Sequence, residues 1–163
     1  LYKWAKKVSQ VALVVYDPNI RPSVQPERKI YLEHFNKWSK IASIIKLSED
    51  DIKWLFPNQD EIEIAKSWLN EVTKLVVITK GETGIIGVTS NGIETVPGVK
   101  TKVVDTVGAG DTVGAILVEG LLLHNLEDLN GEILRKVLAR AAKAAAITCS
   151  RKGAQPPLTS ELD

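Results

Sequence analysis

Two carboxylates and two glycines lie within the seven residues Asp105-Thr106-Val107-Gly108-Ala109-Gly110-Asp111. An apolar helical pattern follows directly, so the segment is predicted to lead into a helix N-terminus. Glycine lets a backbone approach a ligand closely. The first amides of a helix have no partner within it, which makes such a junction an anion site. Taken alone, an acidic residue in a first turn is equally well explained as a cap that complements the helix dipole.

The same segment resembles the D-T-x-G-A-G-D signature of the ribokinase (PfkB) family, with identity at all six fixed positions from Asp105 to Asp111. Four other segments resemble family motifs: Asp17–Arg21 (D-P-N-x-R of fructokinases and 2-keto-3-deoxygluconate kinases), Lys46–Asp51 (K-x-S-x-x-E, with Asp51 where glutamate is usual), Ile78–Gly84 (the strand and loop over the nucleotide phosphates) and Arg151–Pro156 (R-x-G-A-x-P). The resemblance therefore extends over nearly the whole chain.

Family members are about twice as long as this chain, and their N-terminal half carries a lid and most sugar-binding segments. The resemblance therefore implies that residues 1–163 are the C-terminal, nucleotide-binding and catalytic portion of a ribokinase-like domain, without that half. The absence of methionine and the start at Leu1 favour the same interpretation.

The resemblance implies an ATP-dependent transfer of the γ-phosphate to a sugar hydroxyl. Asp111 would be the base that accepts the hydroxyl proton. The amides of Gly108, Ala109 and Gly110 would form an anion hole for the developing negative charge. Asn19 and Arg21, after a predicted strand, would face the sugar or the phosphates together with Asp111, because open α/β sheets bind ligands at that edge. The alternative for Arg21 is a surface salt bridge.

The resemblance also assigns nucleotide and metal sites. The nucleotide would be contacted by Ser48, Thr79, Lys80, Gly81, Gly84 and Ala142. Mg²⁺ would be bound through water by Asp51, and a monovalent cation, with K⁺ as the candidate, by Asp105, Val107 and Gly153. Structural roles are the alternatives here: the two aspartates can cap a helix and a turn, and the loop glycines can serve turn geometry alone.

Alternating strands and helices must hold these segments. Short apolar runs rich in β-branched residues predict buried strands at Val11–Tyr16, Ile41–Leu47 and Leu75–Thr79. Asn91-Gly92 predicts a β-hairpin, and Ser48 with Asp51 predicts a helix-capping box. Helical periodicity predicts long helices ending near Leu123 and Thr148. The expected fold is α/β, a mostly parallel sheet with helices on both faces and a hairpin on its C-terminal side.

Composition limits the partners. The net charge is +1, with basic and acidic residues interspersed, which argues against nucleic acid. No apolar run approaches the ~18 residues of a membrane span. The lone Cys149 permits no intrachain disulfide, which is typical of a reducing, cytoplasmic setting. The expected partners are a small sugar or sugar acid and, through the lid, a second copy in a homodimer.

Several functions remain open at this stage. A fructokinase is favoured over a 2-keto-3-deoxygluconate kinase or a ribokinase. A non-catalytic nucleotide-binding or interaction module is the alternative from another class; the missing half argues for it and the intact Asp111 against it. A dinucleotide-binding domain is rejected, since Val113 stands where its third glycine is required.

Overall fold

Two compact units make up the chain in the computed structural model, which describes all 163 residues. The first contains Leu1–Ile78 and Val88–Ser90, and the second contains Thr79–Gly87 and Asn91–Asp163. None of the helices combines the length and the apolar character needed to cross a bilayer.

Helices and strands alternate in the first unit, as in folds built on parallel sheets. Its elements are α1 (Tyr2–Val8), β1 (Val15–Tyr16), α2 (Arg28–Trp38), β2 (Ile44–Ser48), α3 (Glu49–Leu55), α4 (Glu61–Trp68) and most of β3 (Leu75–Thr79). Strands β1 and β2 are parallel, with Val15 opposite Ile44 and Tyr16 opposite Ile45. Helix α2 lies in the crossover that a parallel pair requires.

Strands β2 and β3 form the core of the first unit. Four of the five residues in each strand are buried, including Ile44, Ile45 and Leu75. A strand that is covered on both faces has a continuous run of apolar residues in its sequence, without alternating polar residues. The predictions for these two strands are therefore confirmed, apart from the start of β2.

Strand β1 is much shorter than predicted. The sequence predicts a buried strand over Val11–Tyr16, but only Val15 and Tyr16 form one, and 88% of Val11 is exposed. The amides of Val11 and Ala12 both donate to the carbonyl of Val8, so this stretch continues α1 as a turn. Strand β1 is an edge strand with β2 as its one neighbour, which leaves the apolar run less covered than the sequence suggests.

The second unit is built on a hairpin and two long helices. Its elements are a 3₁₀ turn (Gly81–Thr83), β4 (Ile85–Thr89), β5 (Gly92–Val96), α5 (Ala109–Leu123) and α6 (Gly131–Cys149), with the end of β4 counted in the first unit. The strands are ordered β1-β2-β3-β4-β5. The two-residue connection Ser90-Asn91 joins β4 to β5, which confirms the predicted hairpin. The predicted α/β class is confirmed as well.

Helices α5 and α6 pack closely. An added Cβ at Gly120 of α5 would lie 3.0 Å from a methyl carbon of Val137 on α6, so the glycine permits the approach. Arg140 of α6 donates to both carboxylate oxygens of Glu119 on α5, at 2.8 and 3.2 Å. This packing holds the start of α5, where the glycine segment Gly108–Gly110 lies, beside the end of α6.

Candidate functional site

Gly108 is the N-cap of α5 and has the left-handed φ of 82°. A side chain here would be strained by this φ. It would also collide, because an added Cβ would lie 2.7 Å from the Cβ and 3.0 Å from the Cα of Ala154. Both constraints require glycine at this position, and the close approach of Ala154 fixes where the first turn begins.

The first turn of α5 presents open backbone donors. The amides of Gly108, Gly110 and Asp111 make no hydrogen bond within the chain, whereas the amide of Ala109 donates to the carbonyl of Thr106 at 3.3 Å. Unpaired amides at the positive end of a helix dipole favour a bound anion. Of the three amides predicted for the anion hole, two are thus open, and the amide of Asp111 is a further donor.

Two buried threonines support this turn from below, and sequence reasoning missed them. The amide and the hydroxyl of Thr112 both donate to the carbonyl of Gly108, each at 2.9 Å. The Thr112 hydroxyl also accepts from the hydroxyl of Thr148 at 3.0 Å, because its own proton goes to Gly108, and the Thr148 hydroxyl lies 3.1 Å from the carbonyl of Ala144. The turn is therefore tied to α6 by a satisfied polar chain, and no local sequence signal announces a contact 36 residues apart.

Asp111 lies in the same first turn and is exposed. Its carboxylate makes no hydrogen bond and no ion pair with the rest of the chain. It therefore does not cap the helix through a hydrogen bond, although its charge still complements the helix dipole. A free carboxylate beside open amides can accept a proton from a ligand held there.

Asp105 joins the glycine segment to the C-terminal loop. One carboxylate oxygen accepts from the amide of Val107 at 3.0 Å and the other from the amide of Gly153 at 2.9 Å. These hydrogen bonds stabilise the charged form and lower the pKa of Asp105 below its usual value. The three residues predicted to bind a monovalent cation are therefore neighbours, and the Asp105 side chain caps the turn as the structural alternative requires.

We expect Asp105→Asn to lower stability above pH 4 and to lose this effect in acid. The folded-state pKa lies below the ordinary value of 3.8, so the carboxylate stabilises the fold above that value and ceases to as the pH falls through the lowered pKa. An asparagine would turn an NH₂ group toward one of the two amides. Urea denaturation from pH 7 to pH 3 measures the difference in unfolding free energy between variant and wild type. The control is Glu127→Gln, because the Glu127 side chain is exposed and unpaired. A difference that persists unchanged at pH 3 would contradict the role of the charge.

A cavity of about 770 Å³ opens in the second unit. Its lining combines the 3₁₀ turn, the first turn of α5 and one face of α6, through Thr79, Gly81, Gly84, Ala109, Gly110, Ala142, Ala145, Ala146 and Cys149 among others. Cavities of this size suit ligands the size of a nucleotide. Four of the six predicted nucleotide contacts, those at positions 79, 81, 84 and 142, line this cavity.

Close backbone contacts shape the loop above the cavity. Gly84 has a φ of 121°, and an added Cβ there would lie 2.0 Å from the carbonyl oxygen of Val96. An added Cβ at Gly98 would lie 2.2 Å from the carbonyl oxygen of Glu82. Lys80 closes the loop through its amide, which donates to the carbonyl of Gly84 at 2.8 Å, but Lys80 is not among the lining residues.

Cys149 lines the cavity, and burial raises the pKa of its thiol, which keeps it protonated.

Ser48 and Asp51 belong to the first unit and form the predicted capping box of α3. The Ser48 hydroxyl accepts from the amide of Asp51 at 3.1 Å, and the Asp51 Oδ2 accepts from the amide of Ser48 at 3.0 Å. The other oxygen of Asp51 accepts no hydrogen bond from the chain. A single free carboxylate oxygen can still orient a water molecule. No group of three or more His, Cys, Asp or Glu side chains is placed to enclose a metal ion.

Asn19 and Arg21 lie in the turn after β1, also in the first unit. Asn19 has a left-handed φ of 49°, and its amide donates to Asp17 Oδ1 at 3.0 Å. The exposed guanidinium of Arg21 donates to the carbonyl of Ile20 at 2.8 Å and pairs with no carboxylate. The surface salt bridge that was the alternative for Arg21 is therefore not formed, and its charge remains for a ligand.

Comparisons with known proteins agree with one another. A model for the pfkB family carbohydrate kinases matches residues 1–161. A fructokinase from Rhizobium leguminosarum bv. trifolii is 39% identical over 70% of this chain and 35% of its own length. Probable fructokinase-5 from Arabidopsis thaliana is 35% identical over 93% of this chain and 47% of its own length. The chain thus spans half or less of the length of these relatives.

Solved structures show the same fold. The fructokinase from Xylella fastidiosa with bound ATP superposes with a TM-score of 0.87 at 23% identity, over 99% of this chain and 54% of that one. The fructokinase from Vibrio cholerae O395 in its fructose-, ADP- and calcium-bound form gives a TM-score of 0.80 at 25% identity, over 94% of this chain and 50% of that one.

Proposed function

Because the chain belongs to the pfkB family of carbohydrate kinases, we propose that it is the C-terminal, nucleotide-binding and catalytic portion of an ATP-dependent sugar kinase, with fructose as the favoured acceptor. The observation that carries this proposal is the cavity in the second unit. It is bounded by a glycine loop on one side and, on the other, by the first turn of α5 with the open amide of Gly110. Such a site fits a nucleoside triphosphate whose terminal phosphate lies at a helix N-terminus.

In the proposed reaction, Asp111 accepts the proton of the sugar hydroxyl as its oxygen attacks the γ-phosphorus and the bond to the bridging oxygen of ADP breaks. The amides of Gly108, Gly110 and Asp111 donate to the negative charge that develops on the transferred phosphoryl group. Phosphoryl transfer depends mainly on positioning and charge stabilisation, so preorganised backbone donors suit it. The buried hydroxyls of Thr112 and Thr148 keep the turn rigid during transfer.

The metal requirements fit a site with few protein ligands. Mg²⁺ keeps several waters and is bound mainly through substrate phosphates, so the absence of an acidic cage is compatible with it. Bound to those phosphates, it would neutralise their charge. In the first unit, Asp51 is the candidate carboxylate for a water-mediated contact with Mg²⁺, through the oxygen that accepts no hydrogen bond. For K⁺, the carbonyl oxygen of Val107 accepts no hydrogen bond and is the candidate ligand, whereas both oxygens of Asp105 already accept amides.

Fructose is favoured as the acceptor because the relatives reported above are fructokinases and one solved neighbour contains fructose. A 2-keto-3-deoxy sugar acid is the second candidate. The observation that favours it is Arg21, whose exposed guanidinium has no carboxylate partner in the chain and would suit the carboxylate of a sugar acid. Asn19 would contact hydroxyls of either acceptor.

The test is an ATP-dependent phosphorylation assay on the full natural polypeptide with a panel of fructose, ribose and 2-keto-3-deoxygluconate. Turnover that is fastest with fructose, and that requires Mg²⁺, is the expected result. Fastest turnover with the sugar acid would move the assignment to the second candidate. Nucleotide binding without turnover on any sugar would reject the kinase proposal in favour of a non-catalytic nucleotide-binding module. Light scattering of the same sample tests the proposed homodimer.

We expect Ala142→Leu to raise the KM for ATP about 10- to 100-fold. Ala142 lines the cavity on α6, and three added carbons would occupy the space of the nucleotide. Steady-state kinetics with varied ATP measures the change. The matched control is Ala139→Leu, an exposed position on the same helix that does not line the cavity. An equal rise of KM in both variants would argue against the cavity as the nucleotide site.

A further inference from the structure

Lys46 is a charged residue at a core position of the first unit. It lies in β2 between the buried Ile45 and Leu47, and only 4% of it is exposed. A buried ammonium without a partner would cost several kcal/mol. Its partner is the Oδ2 of Asp17, at 2.6 Å from the Lys46 Nζ.

The second oxygen of Asp17 holds a turn. Asp17 Oδ1 accepts the amide of Asn19 at 3.0 Å, which fixes Asn19 in its left-handed conformation. The next residue, Ile20, is 4% exposed and anchors the turn in the core. One carboxylate thus connects a buried cation in β2 to the backbone of the turn.

The far end of this turn is fixed as well. The hydroxyl of Tyr31 on α2 accepts the amide of Arg21 at 3.0 Å and donates to the carbonyl of Arg21 at 3.2 Å. The backbone from Asp17 to Arg21 is therefore held at both ends, while the guanidinium of Arg21 is left exposed and unpaired. Such a frame presents Arg21 to a ligand with little conformational freedom to lose on binding.

Stability alone does not account for the pair. Replacing a buried ion pair with apolar groups of similar volume is often neutral or stabilising, whereas removing one partner is costly. A leucine at position 46 would continue the apolar run of β2 without any desolvation cost. What the contacts do show is that the same carboxylate joins Lys46 to the amide of Asn19.

We propose that Lys46 and Asp17 are positioning residues, which hold the Asn19–Arg21 turn in the conformation that binds the acceptor sugar. Lys46 fixes the rotamer of Asp17, and Asp17 fixes the backbone of Asn19. The part of this inference that concerns the sugar rests on the proposed function, whereas the part that concerns the turn does not.

The test compares Lys46→Met, Asp17→Asn and the double variant with wild type in the full natural polypeptide. We expect Lys46→Met to raise the KM for the sugar about 10- to 100-fold and to leave the KM for ATP unchanged. The double variant should lose no more than Lys46→Met alone, since the pair acts as a unit. Its melting temperature should match wild type or exceed it, because both charges are gone. Lys66→Met, which removes an exposed ion pair with Glu63, is the control.

A second readout does not depend on turnover. The amide of Asn19 should exchange with deuterium about tenfold faster or more in Lys46→Met, because its acceptor is no longer fixed, whereas amides in α5 and α6 should keep their rates. Unchanged exchange at Asn19, or a parallel rise of both KM values, would overturn the inference. If wild type phosphorylates no sugar, the kinase proposal fails, and Asn19 exchange still decides whether the pair holds the turn.

Discussion

The Asp111→Asn variant of the full natural polypeptide is expected to lose about 10²- to 10⁴-fold in kcat and to keep the melting temperature of the wild type. The loss follows from the removal of the group that accepts the hydroxyl proton. Stability should be unaffected because the Asp111 carboxylate is exposed and makes no hydrogen bond or ion pair. The KM for ATP should change little, since Asp111 does not line the cavity.

Steady-state phosphorylation kinetics and thermal melting together test this expectation. Glu127→Gln is the matched control, because it removes one negative charge from another exposed, unpaired side chain. A variant that retains more than a tenth of the wild-type kcat would show that Asp111 is not the base. Loss of activity together with a large fall in melting temperature would instead indicate a structural role.

The Gly108→Ala variant is expected to lose roughly 2–4 kcal/mol of unfolding free energy, from the strain of a positive φ and from overpacking. The new Cβ would lie 2.7 Å from the Cβ of Ala154. Since the amide of Gly108 belongs to the proposed anion hole, kcat should fall as well, by about 10²- to 10³-fold. Urea denaturation and phosphorylation kinetics measure the two effects.

The Gly131→Ala variant separates the cost of a positive φ from the cost of a steric clash. Gly131, in the first turn of α6, has a φ of 50° and nothing within 4 Å of an added Cβ. The Gly131→Ala variant should therefore lose only about 1–2 kcal/mol of unfolding free energy, and its kcat should be normal. Adding Ala154→Gly to Gly108→Ala removes the nearest contact and should restore part of the stability. Equal losses in Gly108→Ala and Gly131→Ala would mean that the contact with Ala154 is unimportant.

Features with a local physical cause were predictable from the sequence. The capping box of Ser48 and Asp51 follows from hydroxyl and carboxylate spacing alone, and the structure contains both of its hydrogen bonds. The hairpin follows from the turn preference of Asn91-Gly92. The glycine segment before α5 predicts an anion site because the end of any helix exposes unpaired amides. The resemblance to the ribokinase family then assigned these segments to one candidate site.

Contacts between residues distant in the chain were not predictable. Asp17 and Lys46 are 29 residues apart, and nothing in the apolar run of β2 indicates that its lysine points to a carboxylate. The threonine pair below Gly108 is hidden for the same reason. The apolar run before Tyr16 led to the prediction of too long a strand. A composition typical of a buried strand does not reveal that β1 lies at the edge of the sheet.

The α6 wall of the cavity consists of three alanines and a cysteine, at positions 142, 145, 146 and 149. On the proposed function, this wall offers no strong side-chain donor or acceptor with which to tell one purine from another. Selection of the phosphate donor would then depend on the shape of the cavity and on the polar residues elsewhere in its lining, such as Glu82 and Lys100. On the same proposal, a polar substitution on this wall is expected to shift the donor preference and to leave the first turn of α5 undisturbed.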